Sequence, residues 1–192
     1  MRGLDVLGPQ VGGNPVIFSE TPLEGAYTVD LERLEDPRGY FARSFCVREF
    51  AAQKLVTQFV QFSTSFNEKT GTVRGMHFQR APAEETKLVR CIQGVIWDVI
   101  VDIREGSSTY LESYGVELSA ENGRQLYIPK GFAHGFQTLT SGATVSYMID
   151  EFFTQGAGGG YRYDDPALRV EWPQSVTVIS DKDTAWPLIE TR

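Results

Sequence analysis

The chain has 192 residues, 41% hydrophobic and 22% charged, the size and composition of one soluble globular domain. Its 18 basic and 25 acidic residues leave a net charge of −7, which excludes a broad nucleic-acid-binding surface but allows one small anion held by a local arginine cluster. No apolar stretch approaches the ~20 residues of a membrane span, no basic-then-apolar leader opens the chain, and Cys46 and Cys91 read as free, buried thiols, so the expected location is cytoplasmic.

The whole of 1–192 reads as a single domain, with an arm over 1–28, a core over 29–175 and a C-terminal segment over 176–192. Residues 1–15 are rich in Gly and Pro and show no apolar period. Asp36-Pro37-Arg38-Gly39 is a turn. Phe45, Phe50 and Leu55 among good helix formers predict one short helix. Thr70-Gly71 is a second turn. Leu88 to Ile103 is the densest β region, broken at Gln93-Gly94. Alternation there puts Trp97, Val99, Val101 and Ile103 on one face and Asp98 and Asp102 on the other. Lys87 is in phase with Val89 and Cys91, so it points inward if they do. Glu121-Asn122-Gly123 and Pro129-Lys130-Gly131 are turns, Val145, Tyr147 and Ile149 share one strand face, and Gly156 to Gly160 reads as a flexible loop. Many short strands with little helix predict an all-β sandwich or barrel, whose mouth can hold one ligand.

The two histidines are the most informative residues. His77 stands in Arg74-Gly75-Met76-His77-Phe78-Gln79 and His134 in Gly131-Phe132-Ala133-His134-Gly135-Phe136-Gln137. Histidine is the usual proton carrier near neutral pH. Two isolated imidazoles, with no His-x-His and no nearby His/Glu cluster, are too few for the three or four ligands that a short β-barrel enzyme usually spends on iron or zinc. Proton transfer without metal or cofactor is the expected chemistry. The plain alternative is a histidine bonded to a backbone carbonyl; its repetition in two like settings weighs against that. In a bulged strand Arg74 and His77 could reach one cavity. An inward Lys87 is costly unless it meets an anion or developing negative charge, although a lysine at a strand end also reaches solvent easily. Tyr147 can be a buried phenol with a satisfied hydroxyl or a proton donor. Asp183, in Ser180-Asp181-Lys182-Asp183, can be a solvated turn residue or the carboxylate that fixes a histidine tautomer. Arg38, Arg43, Arg48, Arg74 and Arg90 supply guanidinium groups suited to phosphate, and no Gly-rich phosphate loop accompanies them.

Together these residues resemble the dTDP-4-dehydrorhamnose 3,5-epimerase family. The matching segments include Asp36-Pro-Arg-Gly-Tyr-Phe41, Thr72-Val-Arg-Gly-Met-His-Phe-Gln79, Lys87-Leu-Val-Arg90, Asp98-Val-Ile-Val-Asp-Ile-Arg104, Gln125-Leu-Tyr-Ile-Pro129, Gly131-Phe-Ala-His-Gly-Phe136 and Glu171-Trp-Pro173. The resemblance implies a metal-free, cupin-type double-stranded β-helix jelly roll with a few short helices, working as a homodimer on a nucleotide-linked 4-keto-6-deoxy sugar. It implies His77 as base, Asp183 as its partner (Asp181 as fallback), Tyr147 as acid and Lys87 as the group that stabilises an enolate. It also implies Arg38, Phe41, Arg43, Gln61, Arg74, His134, Phe152 and Phe153 as substrate contacts.

Four positions depart from that family's pattern. Arg43 stands where many relatives have a glutamate facing the nucleotide base, which leaves thymidine and another pyrimidine both open. Phe152-Phe153 replaces two tyrosines, and Ser63 replaces an asparagine. Competing readings are a mono-epimerase acting at C3 or C5 alone, a cupin that binds sugar nucleotides without catalysis, and a metal-dependent cupin. An acid and a base retained together argue against the second, and the histidine count argues against the third.

Overall fold

The computed structural model describes residues 14–189. In chain order the elements are β1 Val16–Glu20, β2 Tyr27–Leu31, β3 Leu34–Asp36, β4 Gly39–Phe41, α1 Val47–Ala52, β5 Gln61–Asn67 and β6 Val73–Gln79. They continue as β7 Lys87–Gln93, β8 Val95–Asp102, β9 Ser113–Ser119, β10 Gln125–Ile128, β11 Phe132–Thr138, β12 Ala143–Ile149, β13 Gly158–Gly160 and α2 Asp181–Thr184. A six-stranded sheet, ordered β1-β2-β10-β7-β12-β5, faces a five-stranded sheet, ordered β13-β6-β11-β8-β9. Every ladder in both is antiparallel, and β3 with β4 forms a separate hairpin. This is the all-β sandwich expected for so many short strands, in the jelly-roll form that the resemblance implies. Among the described residues no helix is long and apolar enough to cross a membrane.

Side-chain alternation builds three apolar layers. Val89 and Cys91 of β7, Ile96 and Ile100 of β8, Leu126 of β10, Phe136 of β11 and Val145 of β12 meet between the sheets. Each such side chain, fully buried, contributes about 1.5–3 kcal/mol. The opposite residues of β8, Trp97, Val99 and Val101, pack outward with Ile103 under Leu168 and Trp172. Outside the six-stranded sheet, Phe50 of α1 is fully buried over Val29, Leu88 and Tyr127. Its ring meets Phe18 edge-on at 5.0 Å and Phe45 at 4.6 Å. The predicted short helix is thus real, and it exists to place one aromatic side chain.

Two expectations need correction. Of the arm expected over 1–28, residues 1–13 lie outside the described residues, and the remainder is not an arm. Val16 to Glu20 pairs along its whole length with β2, since Val16 and Phe18 have an apolar layer to enter. Gly156 to Gly160 is not simply a loop either. Gly158 to Gly160 forms β13 against Gln79 to His77. Glycine hides this strand from any pattern of side chains, because it has none to alternate.

Where β6 crosses β11 the ladder is irregular. His134 pairs with His77 and Phe136 pairs with Arg74, so between these pairs one residue of β11, Gly135, faces two of β6, Gly75 and Met76. This is a bulge, with the extra residue at Gly75–Met76. Gly75 has φ +148°, a backbone region that side chains disfavour, and a Cβ there would lie 2.6 Å from the Gly135 Cα. A Cβ at Gly135 would lie 2.7 Å from Met76 Sδ and 2.8 Å from the Arg74 carbonyl oxygen. Gly135→Ala is therefore expected to destabilise the fold by ~1–3 kcal/mol through overpacking, measured as a lower urea midpoint at unchanged m-value.

Candidate active site

The bulge decides what faces the cavity. In a regular strand, residues three apart point to opposite faces. Here Arg74 and His77 both turn inward beside Phe136 and His134 of β11. The six-stranded sheet supplies the other wall: Lys87 opens β7, Tyr147 and Ile149 lie on β12, and Gln61 and Ser63 lie on the edge strand β5. The walls enclose a cavity of about 440 Å³ at one end of the sandwich.

His77 is bonded to Asp183 at 2.6 Å. The imidazole keeps 39% of its side-chain surface open, while the carboxylate keeps 5%. One ring nitrogen is thus held by Asp183 and the other is left to the cavity. Asp183 comes from α2, where the Ser180 side chain caps the helix by accepting from the Asp183 amide at 3.1 Å. Burial works against the ionised carboxyl, but the His77 hydrogen bond and charge outweigh it, and Asp183 sits below the usual aspartate range. The solvated-turn reading of Asp183 is wrong, and the fallback Asp181 is exposed.

His134 has its own carboxylate. Asp98 of β8 meets it at 2.8 Å, both side chains are buried, and the second Asp98 oxygen finds no donor among the described groups. The Tyr147 ring lies edge-on to His134, centroids 6.2 Å apart. Its hydroxyl meets Ser65 Oγ at 3.3 Å. Burial pushes the phenol well above the ordinary tyrosine value, so it keeps its proton at neutral pH. Lys87 is buried and forms an ion pair with Glu85 at 2.9 Å. The other Glu85 oxygen accepts from Gln79 Nε2 at 3.1 Å. Gln79 Oε1 accepts from the Thr154 amide at 2.9 Å, and Gln61 Oε1 from the Phe153 amide at 2.6 Å. Phe153 is thereby set at the cavity rim. Arg74 Nε donates to Asn67 Oδ1 at 2.7 Å.

Of the residues singled out from sequence, His77, Tyr147, Lys87, Gln61, Arg74, His134 and Phe153 line this one cavity, and Asp183 stands behind His77. Arg38, Phe41, Arg43 and Phe152 do not line it. Arg38 and Phe41 belong to the separate β3–β4 hairpin, where Arg38 pairs with Asp36 at 2.6 Å and Phe41 is 70% exposed. Arg43 pairs with Glu49 at 2.7 Å, and Glu49 also accepts from the Val16 amide, so the Glu49 carboxylate ties α1 to β1 and holds this guanidinium beside them. Phe152 is exposed; its amide donates to Glu151 Oε1 at 2.9 Å, and its carbonyl accepts from Gln79 Nε2 at 3.3 Å and Thr154 Oγ1 at 3.4 Å. Sequence reasoning missed Asp98, Glu85 and Ser65 as partners. For the first two a signal existed: Asp98 is an acid inside an apolar strand, and Glu85 stands two residues before the inward Lys87.

Chemically the cavity offers a hydrogen-bonded imidazole on one wall, a protonated phenol on the other, and cations at Lys87 and Arg74. Such an arrangement has the groups needed to take a proton from one side of a bound anionic molecule and to return one from the other.

The family model for dTDP-4-dehydrorhamnose 3,5-epimerase matches residues 20–191. The chain is 43% identical over 153 residues to dTDP-4-dehydrorhamnose 3,5-epimerase of Sinorhizobium fredii, covering 79% of this chain and 78% of that one. With the enzyme of the same name from Methanothermobacter thermautotrophicus it shares 42% over 177 residues, 90% of this chain and 95% of that one. The crystal structure of the Bacillus anthracis enzyme with TDP and PPi bound superposes with a TM-score of 0.88 at 38% identity, covering 91% of this chain and all (100%) of that one.

The lowered Asp183 carboxyl has a measurable sign. A group whose folded-state value is depressed contributes stability above its ordinary range, and that contribution is lost as pH falls through the folded value. The stability gap between the parent and Asp183→Asn is therefore expected to be full near neutrality and to close below the ordinary aspartate range, about pH 4. Urea midpoints across pH measure it; a gap that stays constant into acid would contradict the pairing.

Proposed function

The chain belongs to the dTDP-4-dehydrorhamnose 3,5-epimerase family, and from that premise we propose that its cavity inverts C3 and C5 of a nucleotide-linked 4-keto-6-deoxyhexose, turning dTDP-4-dehydro-6-deoxy-D-glucose into dTDP-4-dehydro-L-rhamnose. The protein is an epimerase, hence an isomerase. The observation that carries the finer reading is the placement of the His77–Asp183 pair and Tyr147 on opposite walls of one cavity, with Lys87 beside them.

The C4 ketone acidifies the protons on its neighbours C3 and C5. His77 takes one of them, and the electron pair moves onto the C4 oxygen as an enolate. Lys87 lies where an ammonium can meet that oxygen, an effect worth roughly 10²–10³-fold in comparable oxyanion sites. Tyr147 then gives its proton to the same carbon from the other face, and solvent restores both groups. Asp183 holds the His77 tautomer and balances the imidazolium while it exists. Arg74 and His134 are the contacts proposed for diphosphate and sugar, and Phe153 stacks at the rim. No step asks for a metal or an organic cofactor, because the substrate's own ketone stabilises the carbanion. With both thiols free, a cytoplasmic enzyme is the natural reading.

The working unit is proposed to be a homodimer. The outer faces of β5 and β7 leave Phe62 68%, Phe66 60% and Ile92 46% exposed, with β5 an unpaired sheet edge. Such a surface is costly in water unless another chain covers it. The β3–β4 hairpin, with Tyr40 and Phe41 also exposed, needs cover of the same kind. A second copy is what could bring Arg38 and Phe41 near a nucleotide.

Proton NMR with dTDP-4-keto-6-deoxyglucose in D₂O, without a reductase, tests the chemistry. Deuterium is expected at both C3 and C5; exchange at one carbon alone would make the protein a mono-epimerase. His77→Ala should lower exchange at both carbons by at least ~10²–10⁴-fold while the protein stays folded. Tyr147→Phe should leave exchange at one carbon and block completed inversion. Light scattering should give a dimer for the parent and a monomer for Phe62→Glu/Phe66→Glu; a monomeric parent would remove the dimer proposal.

A further inference from the structure

After its last strand the chain returns along β6 and is fastened there. Val73 donates to the Val178 carbonyl at 2.9 Å, Thr72 bridges Val178 in parallel, and the Arg162 amide reaches the Pro187 carbonyl at 3.4 Å. Between these ties lies α2, only four residues long. A helix of that length has little stability of its own, yet it must hold the Asp183 carboxylate 2.6 Å from His77.

Asp183 Oδ2 also accepts from the Gly75 amide at 3.4 Å, and the next tie along the chain is Trp186, three residues beyond Asp183. Its indole rests on the bare backbone of Gly160. A Cβ at Gly160 would lie 2.4 Å from Trp186 Cε2, 2.5 Å from Nε1 and 2.7 Å from Cδ2, and those are its three nearest contacts. Gly160 lies outside the left-handed region, so the position uses the missing side chain and not a special backbone angle. The indole N–H is buried with no acceptor among the described residues, so the ring is seated by shape, with the Lys182 ammonium 5.5 Å from its centroid, and not by a hydrogen bond of its own. Gly160 is also the cross-strand partner of His77. The indole therefore presses on the backbone next to the base, while α2, which ends two residues before Trp186, carries the carboxylate that serves that base.

We propose that Trp186 is a positioning residue: by seating on Gly160 it sets the Asp183 carboxylate against His77. Its catalytic consequence rests on His77 acting as the base, as proposed above. The leverage is geometric. A hydrogen bond of this kind is lost with a displacement of about 1 Å, and misplacement on that scale can cost on the order of 10²-fold in rate. A methyl group at Gly160 would push the indole away by a comparable distance.

The chain's two histidines allow a direct test. Each is bonded to an aspartate, so the ¹H spectrum of the folded protein should show two far-downfield imidazole N–H resonances. His77→Ala and His134→Ala assign them. Gly160→Ala is expected to remove or broaden the His77 resonance and leave that of His134, which reports that the sandwich is intact. In the same variant kcat should fall roughly 10–10²-fold with KM within about twofold. Trp186→Ala should do likewise, and adding Gly160→Ala to it should cost nothing more, because the two act through one contact. Retention of the His77 resonance and of parental kcat in either variant would overturn the proposal, as would simple addition of the two effects. A parent that shows both resonances but exchanges no substrate proton would sink the epimerase mechanism and leave the positioning contact standing.

Discussion

Everything in the cavity depends on two backbones that come too close for side chains. At Gly75 and Gly135 the strands β6 and β11 approach until no Cβ fits at either position. That approach accommodates the bulge, and the bulge puts Arg74 and His77 on one face although they are three residues apart. Without it, one of the two would point into the outer apolar layer around Met76 and Val101, where a charged group has no partner. The glycines thus shape the chemistry without touching any substrate: they choose which side chains meet.

The cavity also shows how a fold keeps two histidines distinct while bonding both to carboxylates. His77 sits at the mouth with its aspartate behind it on a separate segment. His134 lies deeper, held by an aspartate of the neighbouring strand within the same sheet. The open ring leaves one nitrogen to the cavity; the buried one is held by its carboxylate and offers an edge for Tyr147 to pack on. Across from them the ion pair of Lys87 with Glu85 solves the problem of an inward ammonium, since a buried charge without a partner is far more costly than a paired one. That partner is linked through Gln79 to the segment bearing Phe153, so the cation and the aromatic rim share one hydrogen-bond chain.

How much of the molecule is legible in its sequence depends on the range of each signal. Strand alternation is local, and it correctly turns Lys87, Tyr147 and the two faces of β8. Turn residues mark the hairpin at Asp36 and the break at Gly94. Distant pairing leaves no such trace: nothing near Asp183 says that it will meet a ring 106 positions away, and resemblance alone points to it. The edge strand β13 is invisible because three glycines carry no pattern. The five residues of β1 are masked by the Gly/Pro-rich stretch before them, which makes the whole N-terminal region read as an arm. Arg38, Phe41 and Arg43 mark a different limit. Their motif is recognisable, but a single chain leaves them outside the cavity.

The late position of Asp183 has a consequence for how the protein comes into being. All strands of the sandwich precede it, so a ribosome will have delivered both sheets, the bulge and both histidines before the carboxylate leaves the exit tunnel. The apolar layers between and outside the sheets can form without α2, because almost none of their members come from it. On the mechanism proposed above, sheets that have already formed still lack the carboxylate partner of His77 until α2 settles beside β6. Docking of that short segment, more than formation of the core, would then complete the proton relay.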